Sequence, residues 1–333
     1  MIVYSPLRPA DPRSTAPVER VVNWVYNPDD FNPSHLDKII ADITDRWNAQ
    51  AARHGFGFRF IPASELTPTC VDRPRLWRGG VDLLETRQCY IVDDIGNDQQ
   101  AVSYLHGISR IIDASDSLVL NHAMAAPEWL ERDKLAMIGR AAQLGLAVPK
   151  TVALPFRRHA REGLAVVRRE IGDGPYILKA RESGTGFGVL KVDTFEQLRS
   201  AVDIAAQTGK GYLVQEFLPN TGDLRVAVVE GEVVTGMLRE QVAGRYLSNI
   251  AQGGEATPDT DLSGVLDDCL RVVGALGADY LCVDFLITER GPVFGEWCTV
   301  MANFSQFPEP ARTDLADAFF RWAGRLLDQR SRG

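Results

Sequence analysis

The chain has no apolar run long enough to span a membrane, and its start, MIVYSPLRPADPRS, lacks the basic-then-apolar order of a secretory signal. It has few cysteines, five in 333 residues, with no Cys-x-x-Cys pair among them. Cys70, Cys89, Cys269, Cys282 and Cys298 are odd in number and scattered, which argues against a disulfide framework or a zinc cage and suits a reducing, cytoplasmic setting. The plainest reading of each is a buried thiol. Positive charge is also short. Lys and Arg number 36 against 44 Asp and Glu, and a net charge of −8 gives no general attraction to nucleic acid or an anionic membrane, although a local basic pocket is compatible with it. The five histidines have no metal-ligand spacing, so neither His106 nor His122 is given a catalytic role, and there is no internal repeat or low-complexity tract. What remains, 45% hydrophobic and 24% charged, is the composition of a chain with large cores, long enough for two domains or one with a cap.

Leu36, Ile39, Ile40, Ile43 and Trp47 recur at helical spacing up to Gly55. GFGFRFIPASEL then reads as a strand with an exit loop, QCYIVDD as a buried strand, NDQQAVSYLHGISR as a helix, and RIIDASDSLVLN as a strand region ending in a loop. Helices alternating with short apolar strands predict an open α/β layer over roughly the first 120 residues. A helix follows from Pro127 towards Gly145, with Pro149 beyond it. GPYILKA and FGVLKVD are strands, and the helix after them starts at Thr194 with Gln197 in a capping box and stops at Gly209. Five further strands come from YLVQEFL, LRVAVVEGEVVTGMLRE and YLCVDFLITERGPVFGEW, the last two with tight turns at Glu230-Gly231 and Glu289-Arg290-Gly291. A helix lies between those two hairpins and another closes the chain. This order is not that of a doubly wound dinucleotide fold.

The stretch YILKARESGTGFGVLKV places Lys179 before Gly184, Gly186 and Gly188. A P-loop requires Gly-Lys-Ser/Thr running from a strand into a helix, whereas here the lysine precedes the glycines and the chain returns into a strand. The dinucleotide fingerprint fails on the same grounds. What is left is a flexible glycine hairpin able to fold its amides over a phosphate, or a plain turn. The rest of the half decides. VQEFL has the backbone to run beside an adenine edge. Asp223 and Arg225 share a strand face. Asp284 and Glu296 are carboxylates in otherwise apolar strands, where a charge needs a partner. On adjacent strands of a hairpin they make a hard-oxygen site for Mg²⁺. Arg225 and Arg239 have the bidentate guanidinium that suits phosphoryl oxygens, with Arg245 a weaker candidate. Taken singly, Lys179 is a solvated strand-end lysine, Lys134 in ERDK a solvent-facing helical residue, and the arginines mere partners of carboxylates.

This order resembles the ATP-grasp superfamily, especially its glutathione synthetase-like branch and the ribosomal protein glutamate ligases, over roughly residues 120 to 300. The resemblance implies an α/β (α+β) ATP-grasp fold with an N-terminal α/β pre-ATP-grasp domain, residues 1–120. A central subdomain with the glycine-rich lid, 121–211, and a C-terminal subdomain with the metal site, 212–333, complete it. It further implies that Lys134 and Lys179 contact nucleotide phosphates, that Glu216, Phe217 and Leu218 form the adenine hinge, and that Asp223 lies near the nucleotide. Asn249 in YLSNIAQGG matches an asparagine near the phosphates and acceptor, and Asp284 and Glu296 match metal ligands. Arg225, Arg239 and Asn249 are assigned to the neighbourhood of the reacting carboxylate.

The activity implied is an ATP-dependent carboxylate–amine ligase using ATP and Mg²⁺. Phosphoryl transfer to a carboxylate gives an acyl phosphate, an amine displaces phosphate, and ADP is released. The substrates are a small-molecule or peptide carboxylate and amine: an amino acid, a small peptide or a precursor peptide. A homodimer is expected from relatives. Two departures stand out. Cys298 occupies the place of the family's asparagine, and a neutral thiol is a poor ligand for a hard cation, with Asn303 too far along to replace it. Leu247, Ala251 and Gln252 stand where glutamate ligases carry basic residues, which weighs against a glutamate-rich acceptor. The alternatives are a degenerate nucleotide-binding regulatory module and an ATP-grasp small-molecule kinase.

Overall fold

The computed structural model describes residues 17–30, 36–93, 98–121, 133–182, 186, 188–240, 255–259, 261–298 and 306–331. The N-terminal part is a parallel sheet of four strands in the order β2 (Gly57–Pro62), β1 (Val18–Tyr26), β6 (Arg87–Val92), β7 (Leu118–Val119). Residues 21–26 of β1 and all of β6 are buried, as strands covered on both faces require. One face packs Val25, Ile61, Tyr90, Val92 and Val119 against Leu105, Ile108 and Ile112 of α2 (Gln99–Asp113). The same core takes in Leu76 from a small antiparallel sheet of β3 (Thr67–Cys70), β4 (Pro74–Arg78) and β5 (Val81–Asp82). The other face packs Val22, Trp24, Phe58, Cys89 and Ile91 against α1 (Leu36–Arg53) and α7 (Ala311–Ser331). The expected helix at NDQQAVSYLHGISR runs on to Asp113, so RIIDASDSLVLN supplies only the two residues of β7 as strand.

A second, antiparallel sheet has the order β10 (Leu190–Val192), β9 (Tyr176–Ala180), β11 (Tyr212–Glu216), β8 (Thr151–Ala153). Tyr176, Leu178, Val192 and Val214 on one face are covered by α4 (Leu164–Glu170) and α5 (Phe195–Ala205), the latter started by the Thr194–Gln197 capping box. We call this the central lobe. Its other face carries Lys179.

The third sheet is antiparallel in the order β14 (Glu255–Asp259), β13 (Glu232–Glu240), β12 (Asn220–Val229), β15 (Tyr280–Thr288), β16 (Gly291–Cys298). Alternation divides its faces. Leu224, Val226, Val228, Leu281, Val283, Phe285, Phe294 and Trp297 pack on α3 (Lys134–Gln143) and α6 (Leu266–Leu276). On the opposite face Ala227, Val229, Met237, Tyr280 and Cys282 meet Phe319, Phe320 and Trp322 of α7, which is thereby held between this sheet and the parallel one. The rest of that face is charged. We call this sheet with α3 and α6 the C-terminal lobe; α3 joins it although its sequence precedes the central lobe. β12 and β13 are joined through Glu230 and Gly231, with φ of 56° and 74°, the two positive values a type I′ hairpin needs. All five cysteines are free thiols. Among the described residues no helix is long and apolar enough to cross a membrane.

Candidate active site

The charged half of the third sheet brings together Asp223, Arg225, Arg239, Asp284 and Glu296. Arg225 and Asp284 are cross-strand neighbours, as are Asp223 and Arg239. Arg225 donates from Nε to Asp284 Oδ1 at 2.8 Å and from Nη2 to Oδ2 at 2.7 Å. Arg239 donates to Asp284 Oδ2 from Nη2 at 2.7 Å and also bonds Asp223. All four are at least nine-tenths buried. Burial by itself pushes the Asp284 carboxyl up, but the two guanidiniums outweigh it and hold it well below the ordinary carboxylate range. In turn Asp284 holds the Arg225 guanidinium firmly charged against its own burial. The close approach of β12 to β13 has a local cause: a Cβ on Gly222 would lie 2.4 Å from the carbonyl oxygen of Arg239.

Glu296 reaches this face through a bulge. Asp284 pairs with Glu296, but Phe285 pairs with Phe294, so Gly295 is the extra residue between them. Without it, simple alternation would put Glu296 on the same side as Phe294, in the apolar core. The inserted residue shifts the phase and aims the carboxylate at the charged face. There Lys134 Nζ lies 3.5 Å from Glu296 Oε2. Lys134 is the first residue of α3 and is 8% exposed, so the solvent-face reading of ERDK does not apply.

Lys179 comes from the central lobe into the same place, since its charge is coupled to those of both Lys134 and Glu296. Burial, then repulsion by Lys134, lowers its ammonium to about 8, with Glu296 acting against both. Glu216 pairs with Tyr176, three residues before Lys179 on β9. At a strand rise of about 3.3 Å per residue, the 216–218 segment and the lysine are roughly 10 Å apart, the order of distance between a nucleotide's base and its outer phosphates. The Glu216 carboxylate accepts from Lys150 N at 2.9 Å, Phe217 N donates to Pro175 O at 3.0 Å, and Leu218 O accepts from Asn220 Nδ2 at 2.9 Å. Gly186 and Gly188 both have φ of 73°, a left-handed conformation that glycine adopts without strain. Gly184, Arg245, Leu247, Asn249, Ala251, Gln252 and Asn303 lie outside the described residues.

Three features had no place in the sequence reading. Asp133 caps α3 and pairs with Arg181 just past β9. Lys191 sets its ammonium 4.5 Å above the Phe217 ring. Cys282 stands directly opposite Cys298. An Asp before a helix is a legible cap, but its distant partner is not. The Cys282 thiol first, and then burial, push the Cys298 thiol well up, so it remains protonated at neutral pH.

The donor set fits a divalent cation in part. Asp284 and Glu296 are hard-oxygen donors facing each other in register. Asp284 already accepts three hydrogen bonds, one on Oδ1 and two on Oδ2; a carboxylate has about four acceptor positions, so one remains on Oδ1. Among the described residues no three His, Cys, Asp or Glu side chains are arranged to hold a metal. The pair of facing carboxylates suits Mg²⁺, which takes one or two carboxylates and completes its shell with water and substrate phosphates. The protonated Cys298 is not a donor of this kind.

Two antiparallel sheets whose lysines, arginines and paired carboxylates meet, beside a parallel N-terminal sheet, define an ATP-grasp ligase. More narrowly, the chain belongs to the RimK-like ATP-grasp family, whose profile matches residues 131–322. A probable alpha-L-glutamate ligase of Pseudoalteromonas atlantica is 26% identical over 240 residues, 65% of this chain and 77% of that one. The ribosomal protein bS6–L-glutamate ligase of Salmonella newport is 28% identical over 211 residues, 63% of this chain and 68% of the other. Among solved structures, the ATP-grasp ligase PsnB complexed with a minimal precursor superimposes with a TM-score of 0.63 over 93% of this chain and 99% of PsnB, at 17% identity. Another structure of PsnB holds Mg and ADP with that precursor.

Proposed function

We propose that the chain activates a carboxylate by phosphorylation from ATP and joins it to an amine, with a peptide or amino acid as substrate. The observation that carries this is the meeting of four cations, Lys134, Lys179, Arg225 and Arg239, with the facing carboxylates Asp284 and Glu296. A carboxylate and an amine do not condense at neutral pH because the leaving group is poor; an acyl phosphate supplies a good one. Such a reaction asks little covalent chemistry of the protein. It asks for positioning and for charge neutralisation at the moving phosphoryl group.

In this reading the two lysines grip the nucleotide phosphates and the 216–218 segment takes the adenine. Arg225 and Arg239 steady the phosphoryl group and the carboxylate it joins, with Asn249 beside them. Asp284 and Glu296 would hold Mg²⁺, which would supply positive charge to offset that of the phosphates. The loop of Gly184, Gly186 and Gly188 closes over the phosphates and excludes the water that would hydrolyse an acyl phosphate. Residues 1–120 contribute to the second substrate's site, 121–211 the lid and 212–333 the metal side.

The relatives favour a peptide or protein substrate: one is a ligase for ribosomal protein bS6, and PsnB is complexed with a precursor. The departures at Leu247, Ala251 and Gln252 favour an acceptor other than a glutamate-rich one.

The test is product analysis with Mg²⁺-ATP, pooled amino acids and peptides, with and without hydroxylamine. Substrate-dependent ADP with a hydroxamate supports the reading. ADP with a phosphorylated hydroxyl product replaces it with a kinase, and AMP overturns the acyl-phosphate route. Cys298 favours a second reading, a nucleotide-binding module without turnover, whose mark is nucleotide affinity indifferent to metal.

A further inference from the structure

The two lysines whose charges repel each other come from different lobes. Lys134 opens α3, whose Met137, Ile138 and Ala141 belong to the core of the C-terminal lobe. Lys179 sits near the end of β9, whose Tyr176 and Leu178 belong to the core of the central lobe. Nothing in either core fixes the distance between them. The residues beside them do. Asp133 immediately precedes Lys134, and Arg181 follows Lys179 by two. Arg181 Nε donates to Asp133 Oδ1 at 3.1 Å, and its Nη2 donates to the other carboxylate oxygen. The backbone adds a third tie, Lys134 N to Arg181 O at 3.0 Å. Asp133 Oδ1 also accepts from Leu135 N at 3.0 Å, so the same carboxylate fixes the first turn of the helix that carries Lys134. On the other side, Arg181 N donates to Gly211 O at 2.9 Å, which anchors the arginine to the start of β11. Both side chains are mostly covered, with the arginine 33% and the aspartate 18% exposed. A planar, two-point guanidinium–carboxylate pair of this kind fixes orientation as well as distance.

We propose that Asp133 and Arg181 form a clasp between the lobes that sets the separation of Lys134 and Lys179, and so act as positioning residues for the polyphosphate of the bound nucleotide. The inference rests on the reading of those lysines as phosphate ligands. Without the clasp, the two ammonium groups, which repel each other, lose the two-point tie beside them, and the lobes open at this point. Adenosine, recognised away from the clasp, does not depend on it.

The test measures binding of a non-hydrolysable ATP analogue and of adenosine, by displacement of a fluorescent nucleotide, together with melting temperature. Asp133→Asn keeps a helix cap and removes the charge; Arg181→Met keeps the stem and removes the guanidinium. Each is expected to weaken the analogue about tenfold, within the usual range of coupling between sites, and adenosine less than twofold. The double variant is expected to be no weaker than the worse single one, because each change alone already opens the clasp. Arg181→Lys, which keeps the charge but not the fork, recovers part of the loss. Equal losses for analogue and adenosine, or independent losses that multiply in the double variant, overturn the clasp. Analogue affinity unchanged in the variants, where the wild type binds the analogue, also overturns it. A wild type that binds no nucleotide overturns the reading of the lysines, and the clasp with it.

Discussion

Arg225 holds Asp284 by two parallel hydrogen bonds across adjacent strands, and Arg239 takes a third position on the same carboxylate. The residues are 5%, 3% and 5% exposed for Arg225, Arg239 and Asp284, so none of these charges is hydrated enough to stand alone. Removing Asp284 therefore strands two buried guanidiniums. Asp284→Ala is expected to lower unfolding free energy by about 3–5 kcal/mol, as breaking a buried ion pair does. Glu296→Ala, whose side chain is 32% exposed and lies 3.5 Å from the Lys134 ammonium, is expected to cost less than about 1 kcal/mol. On the proposed metal role, both variants are also expected to lose metal-dependent turnover. Urea unfolding of the pair checks this, and equal destabilisation would refute it. The Asp284 contribution follows from a lowered carboxyl: it is fully present above the unfolded value of about 3.9 and is lost as pH falls through the folded value near 2.

If Lys179 grips phosphate as proposed, nucleotide binding is expected to depend on pH in the opposite range. Its ammonium is lowered to about 8 in the free protein, and phosphate oxygens beside it raise it again. Binding above that pH must therefore take up a proton, and affinity is expected to fall by up to about tenfold per pH unit above 8. Calorimetry of ADP binding in buffers of different ionisation enthalpy reads the proton directly. Lys179→Met binds more weakly at pH 7 and loses the slope; a slope that survives this change belongs to another group. Folding responds with the reverse sign. Between pH 8 and the unfolded value of about 10.4, the unfolded chain keeps a proton that the folded one has released, so this group's contribution to stability rises with pH.

How much of this was legible depended on distance along the chain. The strands carrying Asp223, Arg225, Asp284 and Glu296 could be read from short apolar runs, because hairpins are local. Their partners could not: Asp284 lies 59 residues from Arg225 and 45 from Arg239. Glu296 was read as a site carboxylate from its unlikely place in a strand; the bulge that turns it to the charged face was not read, although a lone glycine within a strand, here Gly295, is the usual mark of one. β1 escaped the sequence reading altogether, since Val21 to Tyr26 are all buried and show neither alternation nor helical period. The sheet of β3 to β5 was hidden for another reason: Pro68 and Pro74 break its short strands. From its own neighbours Lys134 looked like a solvent-facing helical lysine, and only the family resemblance assigned it to the phosphates; the helix was read from Pro127, whereas α3 is capped by Asp133 and opens on Lys134.

Cys298 bears on metal affinity. It faces Cys282, is held protonated, and offers no hard oxygen. Cys298→Asn supplies a carbonyl oxygen two residues after Glu296, and is expected to reduce the Mg²⁺ or Mn²⁺ concentration needed for half-maximal ADP binding by about tenfold, the usual scale of ligand-shell effects on metal affinity. Cys298→Ser, smaller in its effect on packing and still a weak donor, should move it less. Titration of Mn²⁺ at fixed ADP, followed by paramagnetic resonance, distinguishes these outcomes. An unchanged Mn²⁺ requirement in the asparagine variant would mean that the metal does not approach this position.

The glycine loop and the strand glycine make opposite predictions. A Cβ on Gly188 would meet nothing within 4 Å, so the cost of a side chain there is the left-handed backbone alone, about 1–2 kcal/mol for an ordinary residue. Asparagine tolerates that conformation better than alanine, and valine worst of all. Turnover in the series Gly188→Asn, Ala, Val is therefore expected to fall in that order while the melting temperature barely moves, because the loop is not part of a core. Gly222 is the reverse case. Its Cβ would sit 2.4 Å from the Arg239 carbonyl oxygen and 3.2 Å from its carbon, both backbone atoms that cannot step aside without parting β12 from β13. Gly222→Ala is expected to destabilise the protein by about 1–3 kcal/mol, the scale of overpacking, and to pull Arg239 from Asp223 and Asp284, so turnover and melting temperature fall together. Thermal melts and steady-state rates on the two alanine variants suffice. A Gly222→Ala protein that melts like the wild type would show that β13 yields at no cost, and a Gly188→Val protein with full turnover would show that this loop takes no part in the reaction.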